Sequence, residues 1–151
     1  MNTILTLDLG TKTGWAMQYP DGSIKSGTWD LKGSRYQGGG MRFLNFNKYL
    51  DACATVNLIK CVYFEEVRAH AGVDAAHVYG GFLAILTSWC EAKSIPYMGV
   101  SVGTIKKFAT GKGNASKQEV IAALREKGFN PTDDNEADAL AILGYVTKKE
   151  V

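Results

Sequence analysis

Short apolar runs alternate with longer amphipathic stretches along the chain, a pattern typical of an α/β domain. The runs 4–9, 58–64 and 96–100 are short and mainly apolar, which predicts buried strands. Residues 14–18 and 23–30 also read as strands, and they follow the first run after short, turn-forming links. These links predict that the first three strands are consecutive and antiparallel.

The remaining periodic segments repeat apolar residues every three or four positions, which predicts helices. The predicted helices cover residues 41–55, 75–93, 102–109, 117–127 and 137–147. Ser116 followed by Glu119 is a capping-box signature for the fourth helix, and Asp134 or Asn135 is expected to cap the last. Because a helix separates the third and fourth strands, we expect the fourth strand to lie parallel to the first.

Composition adds the broad class of protein. The chain has 151 residues, of which 46% are hydrophobic and 21% charged, a balance typical of one globular domain. No apolar stretch approaches the roughly 20 residues of a membrane span, and the N-terminus lacks the basic region of a signal peptide. The three cysteines form no CxxC pair, which favours free thiols in a reducing, cytoplasmic compartment.

Charge is unevenly distributed although the net charge is only +2. Residues 101–130 hold six basic side chains and two acidic ones, whereas residues 131–140 hold four acids and no base. A basic segment followed by an acidic one favours a polyanion held beside a metal site. A solvated helix followed by a capping turn is the alternative, and the charges alone do not separate the two.

Three carboxylates are candidates for one shared site. Asp8 ends the first apolar run, where burying an ionised carboxylate is costly unless a partner neutralises it. Glu65 follows the fourth strand, so Asp8 and Glu65 are expected side by side at the carboxyl edge of the sheet. Asp138 is flanked by alanines on the last helix, which lets that helix lie close to the sheet with this acid turned inward.

A cluster of three carboxylates requires a cation, because the like charges repel one another. Oxygen ligands favour magnesium or manganese over zinc. Two such ions can activate water and stabilise the leaving oxygen in phosphodiester cleavage. The residues themselves therefore indicate a metal-dependent nuclease.

Two glycine-rich stretches have open interpretations. Residues 32–40 (KGSRYQGGG) lack apolar anchors, which predicts a mobile loop, either a plain linker or a DNA-contacting arm through Arg35 and Tyr36. Gly80 and Gly81 interrupt the longest helix at a cost of about 1 kcal/mol each relative to alanine. Close packing explains such a cost, either in a dimer interface or against the protein's own sheet.

Four motifs stand in a fixed order along the chain. They are residues 8–16 (DLGTKTGWA), 64–67 (FEEV), 111–120 with Lys117, and 136–141 (EADALA). Together, over nearly the whole chain, they resemble the RuvC-type Holliday junction resolvases. The resemblance implies an α/β, ribonuclease-H-like fold: a five-stranded mixed sheet in the order 3-2-1-4-5, flanked by helices, in a single domain over residues 1–151.

The same resemblance implies a function. It indicates a homodimeric, magnesium-dependent endonuclease that resolves four-way (Holliday) or other branched DNA junctions by paired nicks, with Mn²⁺ able to replace Mg²⁺. The metal ligands would be Asp8, Glu65 and Asp138. The family commonly has an acid or a histidine three residues before the last aspartate, where this chain has Asn135. Either Asp134 substitutes for that ligand or Asn135 ligates through its carbonyl oxygen.

Basic residues complete the predicted site. Lys106 and Lys117 match basic positions that the family uses near the scissile phosphate, where a lysine neutralises developing charge. The predicted catalytic residues are Asp8, Glu65, Asp138, Asp134 and Lys117. The predicted DNA-contacting residues are Lys106, Lys107, Lys112 and Lys117. Recognition of the junction is expected to rely on shape and on phosphate contacts.

Three other functions stay open from the sequence. Residues 8–14 are also similar to the first phosphate loop of the actin and sugar-kinase superfamily, which would make the chain a nucleotide-binding ATPase or kinase-like domain. Those proteins need two such domains, and 151 residues are too few. A non-catalytic branched-DNA binder would follow if Asn135 marks an impaired site. A YqgF-like nuclease that processes RNA shares the fold and the opening motif.

Overall fold

Five strands and five helices make up residues 3–149, the part of the chain that the structure, a computed structural model, describes. The strands are β1 Thr3–Asp8, β2 Lys12–Gln18, β3 Ile24–Asp30, β4 Ile59–Glu66 and β5 Tyr97–Ser101. The helices are α1 Met41–Val56, α2 Val73–Lys93, α3 Val102–Thr110, α4 Lys117–Glu126 and α5 Asp134–Lys149. Residues 1–2 and 150–151 of the predicted domain lie outside the described part.

The strands form one mixed sheet in the order β3-β2-β1-β4-β5. β1 pairs antiparallel with β2 and parallel with β4, while β5 extends the sheet parallel to β4. The predicted order 3-2-1-4-5 and the α/β, ribonuclease-H-like fold class are therefore confirmed. β4 runs further than predicted, through Glu65 and Glu66, so these acids lie within the strand.

Each face of the sheet has its own hydrophobic core. Alternate side chains of β1 point to opposite faces, so Leu5 and Leu7 pack with the core beneath α1 and α2. Ile4, from the other set of β1 positions, packs with the core formed by α3, α4 and α5. Asp8 has the same parity as Ile4 and Thr6. The alternation therefore turns Asp8 towards the α5 face.

The helix ends match the prediction in one case and correct it in another. The Ser116 hydroxyl accepts a hydrogen bond from the Glu119 N–H at 3.2 Å, so Ser116 caps α4 as predicted. The predicted cap of α5 at Asp134 or Asn135 is wrong, because the helix begins at Asp134. Asp133 performs this role instead, since its carboxylate accepts the Glu136 N–H at 2.8 Å.

The two glycines of α2 have different surroundings. A Cβ added at Gly81 would come within 2.6 Å of the Phe43 ring, so Gly81 is explained by close packing against α1 rather than against the sheet. A Cβ at Gly80 would meet nothing within 4 Å. Packing within the chain therefore does not account for Gly80.

Residues 32–40 connect β3 to α1 without regular secondary structure. Within this loop Arg35 stacks on Tyr36, and the Tyr36 side chain is 82% exposed. Mobility of the loop stays a prediction. Among residues 3–149, none of the helices combines the length and the hydropathy that crossing a bilayer requires.

The start of α5 lies in direct contact with β2 at Gly14. A Cβ added at Gly14 would lie 1.8 Å from the Asn135 carbonyl oxygen, a distance that no side chain can occupy. Thr6 of β1 supports the same contact, because its buried hydroxyl donates to the Ala139 carbonyl at 2.7 Å. These two contacts fix how closely the helix approaches the sheet.

We expect Gly14→Ala to destabilise the protein by several kcal/mol, on the order of 3, because either α5 or β2 has to shift. Denaturant unfolding followed by circular dichroism measures the change. Gly38→Ala is the matched control, since a Cβ at Gly38 meets nothing within 4 Å. Equal stability of the two variants would contradict the claim that α5 depends on this contact.

Candidate metal centre

Three carboxylates from three separate elements converge at the carboxyl edge of the sheet. Asp8 is the last residue of β1, and Glu65 lies beside it because Leu7 pairs with Phe64 in the parallel ladder. Asp138 reaches the same point from the second turn of α5. One carboxylate oxygen of each residue lies within 4.8 Å of the others. Among the histidines, cysteines and acids of residues 3–149, these three form the cluster that could hold a metal ion.

The pKa values of two of these acids reflect their crowding. Burial raises the pKa of Asp8 well above its ordinary value, and the charges of Glu65 and Asp138 add to the shift. Burial also raises the pKa of Asp138 to about 7, with further contributions from Glu65 and Asp134. The positive charge of Lys106 opposes that increase. Without a cation, the cluster therefore tends to keep protons at neutral pH.

A divalent cation would relieve the same repulsion. The donor set consists of carboxylate oxygens, which suits hard ions such as Mg²⁺ or Mn²⁺. The ligating atoms also lie at the sheet edge where open α/β sheets place their ligands. These residues therefore fit the divalent metal ion that the sequence predicts.

Buried hydrogen bonds hold the first turn of α5, and with it Asp138. Glu136 is 6% exposed, and its carboxylate accepts hydrogen bonds from the Ser26 hydroxyl at 2.6 Å and from the Thr132 N–H at 3.0 Å. The Asp133 carboxylate accepts the Thr28 hydroxyl at 2.8 Å. Two acids thus connect the helix start to β3, the outermost strand on the β2 side of the sheet.

Asp134 lies outside the cluster of three carboxylates, and its neighbour Asn135 stays a predicted ligand. The Asp134 carboxylate forms an ion pair with the Lys117 ammonium at 3.0 Å. Asn135 presents its backbone carbonyl to Gly14, and its side chain hydrogen-bonds to no other group in residues 3–149. The amide of Asn135 is therefore available to an incoming ligand, whereas Asp134 already has a partner.

The predicted lysines have different relations to the cluster. Asp134 raises the pKa of Lys117, with smaller contributions from Asp138 and Asp8, so this ammonium lies in the field of the site. The positive charge of Lys106 lowers the pKa of Asp138, so this lysine also interacts with the site. Lys107 is exposed on α3, and Lys112 pairs with Glu119 at 3.8 Å. The structure thus brings Lys106 and Lys117 to the acids.

One contributor to the site had no signal in the sequence. The Tyr79 hydroxyl of α2 donates to the Glu65 carbonyl at 2.8 Å and accepts the Val67 N–H at 3.2 Å. It therefore holds the backbone on both sides of the point where β4 ends. A tyrosine in an apolar helix is ordinary core composition, so only the folded chain reveals this role.

No protein-family model matches the chain, and no curated protein matches it in sequence. Solved structures share its fold. RuvC of T. thermophilus in complex with a Holliday junction substrate superposes with a TM-score of 0.73 at 22% identity, over 94% of this chain and 90% of that chain. A further Thermus thermophilus RuvC structure gives a TM-score of 0.68 at 22% identity, over 93% and 90% of the two chains.

The yeast mitochondrial Holliday junction resolvase Ydc2 is more distant, with a TM-score of 0.60 at 13% identity over 92% of this chain and 75% of that chain. At these identities the likeness establishes the fold. The structure therefore confirms the predicted resemblance at that level: the chain has the ribonuclease-H-like fold of the RuvC-type Holliday junction resolvases.

Proposed function

We propose that the chain is a divalent-metal-dependent endonuclease that cuts four-way or other branched DNA. The observation that carries the proposal is the convergence of Asp8, Glu65 and Asp138 within 4.8 Å of one another. The fold supports the choice of substrate, since one solved structure that resembles the chain is a RuvC bound to a Holliday junction.

Asp8, Glu65 and Asp138 would hold the metal, with Asn135 as a further ligand through its free amide. When bound, Mg²⁺ would supply activation of water and neutralisation of charge at the scissile phosphate. Thr6 and Tyr79 keep two of these carboxylates in place through hydrogen bonds to the neighbouring backbone. The chain's contribution is thus a rigid set of oxygen ligands at an open sheet edge.

Lys117 is positioned to contact the phosphate. Its side chain is 70% exposed, and its ion pair with Asp134 is shared with solvent. Exposed ion pairs contribute little to stability, so a phosphate can replace the Asp134 carboxylate as its partner. Lys106 acts on the charge of Asp138, while Lys107 and Lys112 extend the basic surface along α3 and the loop after it. Their role is to bind the backbone of the branched DNA.

We expect Asp8→Asn to lower the rate of cleavage by about 1,000-fold or more, because it removes one charged ligand of the metal. Binding of the junction, measured by electrophoretic shift in Ca²⁺, should stay within about threefold of wild type. Nicking of labelled four-way, forked and linear DNA, with and without Mg²⁺, provides the measurement. Asp30→Asn is the control, because Asp30 is an exposed acid at the end of β3.

The alternative functions give distinct outcomes in the same assay. Unchanged nicking by Asp8→Asn would exclude the proposed metal centre. Tight junction binding without nicking by the wild-type chain would indicate a branched-DNA binder. Faster cleavage of structured RNA than of any DNA would indicate an RNA-processing nuclease.

Without metal, we expect Asp138 to make stability depend on pH. The pKa of Asp138 is about 7 in the folded chain and about 4 when unfolded, so the folded state holds the extra proton between these values. Stability due to Asp138 is therefore present at acidic pH and lost as pH rises towards 7. With a chelator present, the free energy of unfolding of the wild type should fall between pH 5 and pH 8 by on the order of 2 kcal/mol more than that of Asp138→Asn.

Adding Mg²⁺ should restore most of that loss in the wild type at pH 8 and little of it in Asp138→Asn. Denaturant unfolding at each pH measures both effects. Parallel pH profiles for the two proteins would contradict the assigned ionisation of Asp138.

We propose further that two copies pair through the solvent face of α2. Gly80, Ala84 and Ser88 are exposed at intervals of four residues, and they leave this face flat. Glycine at position 80 weakens the helix, and no contact within the chain requires it there, because a Cβ would meet nothing within 4 Å. Two sites related by a two-fold axis would suit paired nicks across a symmetrical junction.

Light scattering during size-exclusion chromatography should give twice the chain mass of 16.4 kDa for the wild type. Gly80→Arg should give the monomer mass, because a long charged side chain would project from the flat face. Ala52→Arg on the exposed side of α1 is the control and should leave the mass unchanged. A dimer that survives Gly80→Arg would exclude this face.

A further inference from the structure

A hollow opens between α3, α4 and α5. Its volume is 210 Å³, and its floor and walls are apolar. The residues that form them are Ala109, Leu124, Phe129, Leu140, Ala141 and Gly144. The part of α5 that lines the hollow begins at Leu140, two positions after Asp138, and ends at Lys148 at the rim. None of the three carboxylates of the proposed metal centre lines it.

Small residues create this space. Ala109 and Ala141 leave room where larger side chains would fill the core, and Gly144 lets the Phe108 ring lie over the helix. A Cβ at Gly144 would come within 3.1 Å of that ring. Packing within the domain thus leaves an apolar depression with an aromatic residue on each side, Phe108 and Phe129.

Two cations stand at the rim. The Lys127 ammonium lies 4.7 Å and the Lys148 ammonium 5.5 Å from the centre of the Phe108 ring. Neither lysine forms an ion pair with an acid in the described part of the chain, and no acid lines the hollow. Within residues 3–149, the feature is thus an apolar depression beside two lysines that pair with no acid.

The size of the hollow limits what can occupy it. Pockets for drug-sized ligands and cofactors usually measure about 300–1,000 Å³, so 210 Å³ suits a single inserted side chain. A nucleobase would bury its polar edge among groups that offer almost no hydrogen-bond partners, which is unfavourable. An aromatic side chain has no such edge and can pack against Phe108 and Phe129.

From these observations we infer that the hollow is a docking site for an acidic peptide segment of a partner protein. One aromatic side chain of the segment fills the depression, and flanking carboxylates pair with Lys127 and Lys148. The docking contacts use neither the proposed metal ligands nor the lysines assigned to DNA, so the inference goes beyond the proposed nuclease.

Fluorescence anisotropy with a labelled peptide tests this site on the full chain. The probe peptide carries one phenylalanine between two pairs of aspartates. The control peptide carries alanine in place of the phenylalanine. We expect the alanine peptide to bind at least about tenfold more weakly, because it leaves the hollow empty. The double variant Lys127→Glu, Lys148→Glu should weaken binding of the phenylalanine peptide by a similar factor.

Lys48→Glu is the matched control, because Lys48 is an exposed lysine on α1 at the other face of the sheet. It should change peptide affinity by less than about twofold. Equal binding of the two peptides, or an equal effect of Lys48→Glu, would overturn the inference. The inference also fails if the double variant weakens junction binding but leaves peptide binding unchanged, because the two lysines would then bind DNA. None of these results depends on cleavage, so they stay distinct from a failure of the nuclease proposal.

Discussion

Mutual repulsion among three carboxylates is the constraint on which the rest of this structure depends. Asp8, Glu65 and Asp138 come from β1, β4 and α5, and each would move apart if its element were free to do so. The fold prevents this by tying the elements together away from the charges. The Thr6 hydroxyl joins β1 to α5, and the carboxylate of Glu136 joins α5 to β3. The three carboxylates are thus held together by hydrogen bonds made elsewhere on the same elements.

Much of this arrangement could be predicted from the sequence. Short apolar runs separated by turns predict that the first three strands are antiparallel neighbours, and the helical connection predicts that β4 runs parallel to β1. The full order, with β5 beyond β4, is implied by the family resemblance. The convergence of Asp8 and Glu65 then follows from strand parity and from the parallel register. Asp138 was accessible to the same reasoning, since the alanines around it indicate a helix that lies close to its support.

The parts that the sequence could not reveal depend on contacts between distant residues. Asp133 rather than Asp134 caps α5, and the two neighbouring aspartates are indistinguishable until the helix start is fixed against Thr28. No local pattern marks Glu136 as buried, yet hydrogen bonds from Ser26 and Thr132 hold its carboxylate in the interior. Tyr79 looks like ordinary core. In each case the decisive partner comes from another element, so no local pattern carries the information.

The Tyr79 hydroxyl has a consequence for how separate parts of the molecule communicate. Tyr79 belongs to α2 and directly precedes Gly80, yet its hydroxyl donates to the Glu65 carbonyl and accepts from the Val67 N–H at the end of β4. A sliding or rolling movement of α2 would strain one of these bonds and pull on the end of β4. A partner that shifts α2 would therefore also shift the backbone of Glu65, one of the three clustered acids.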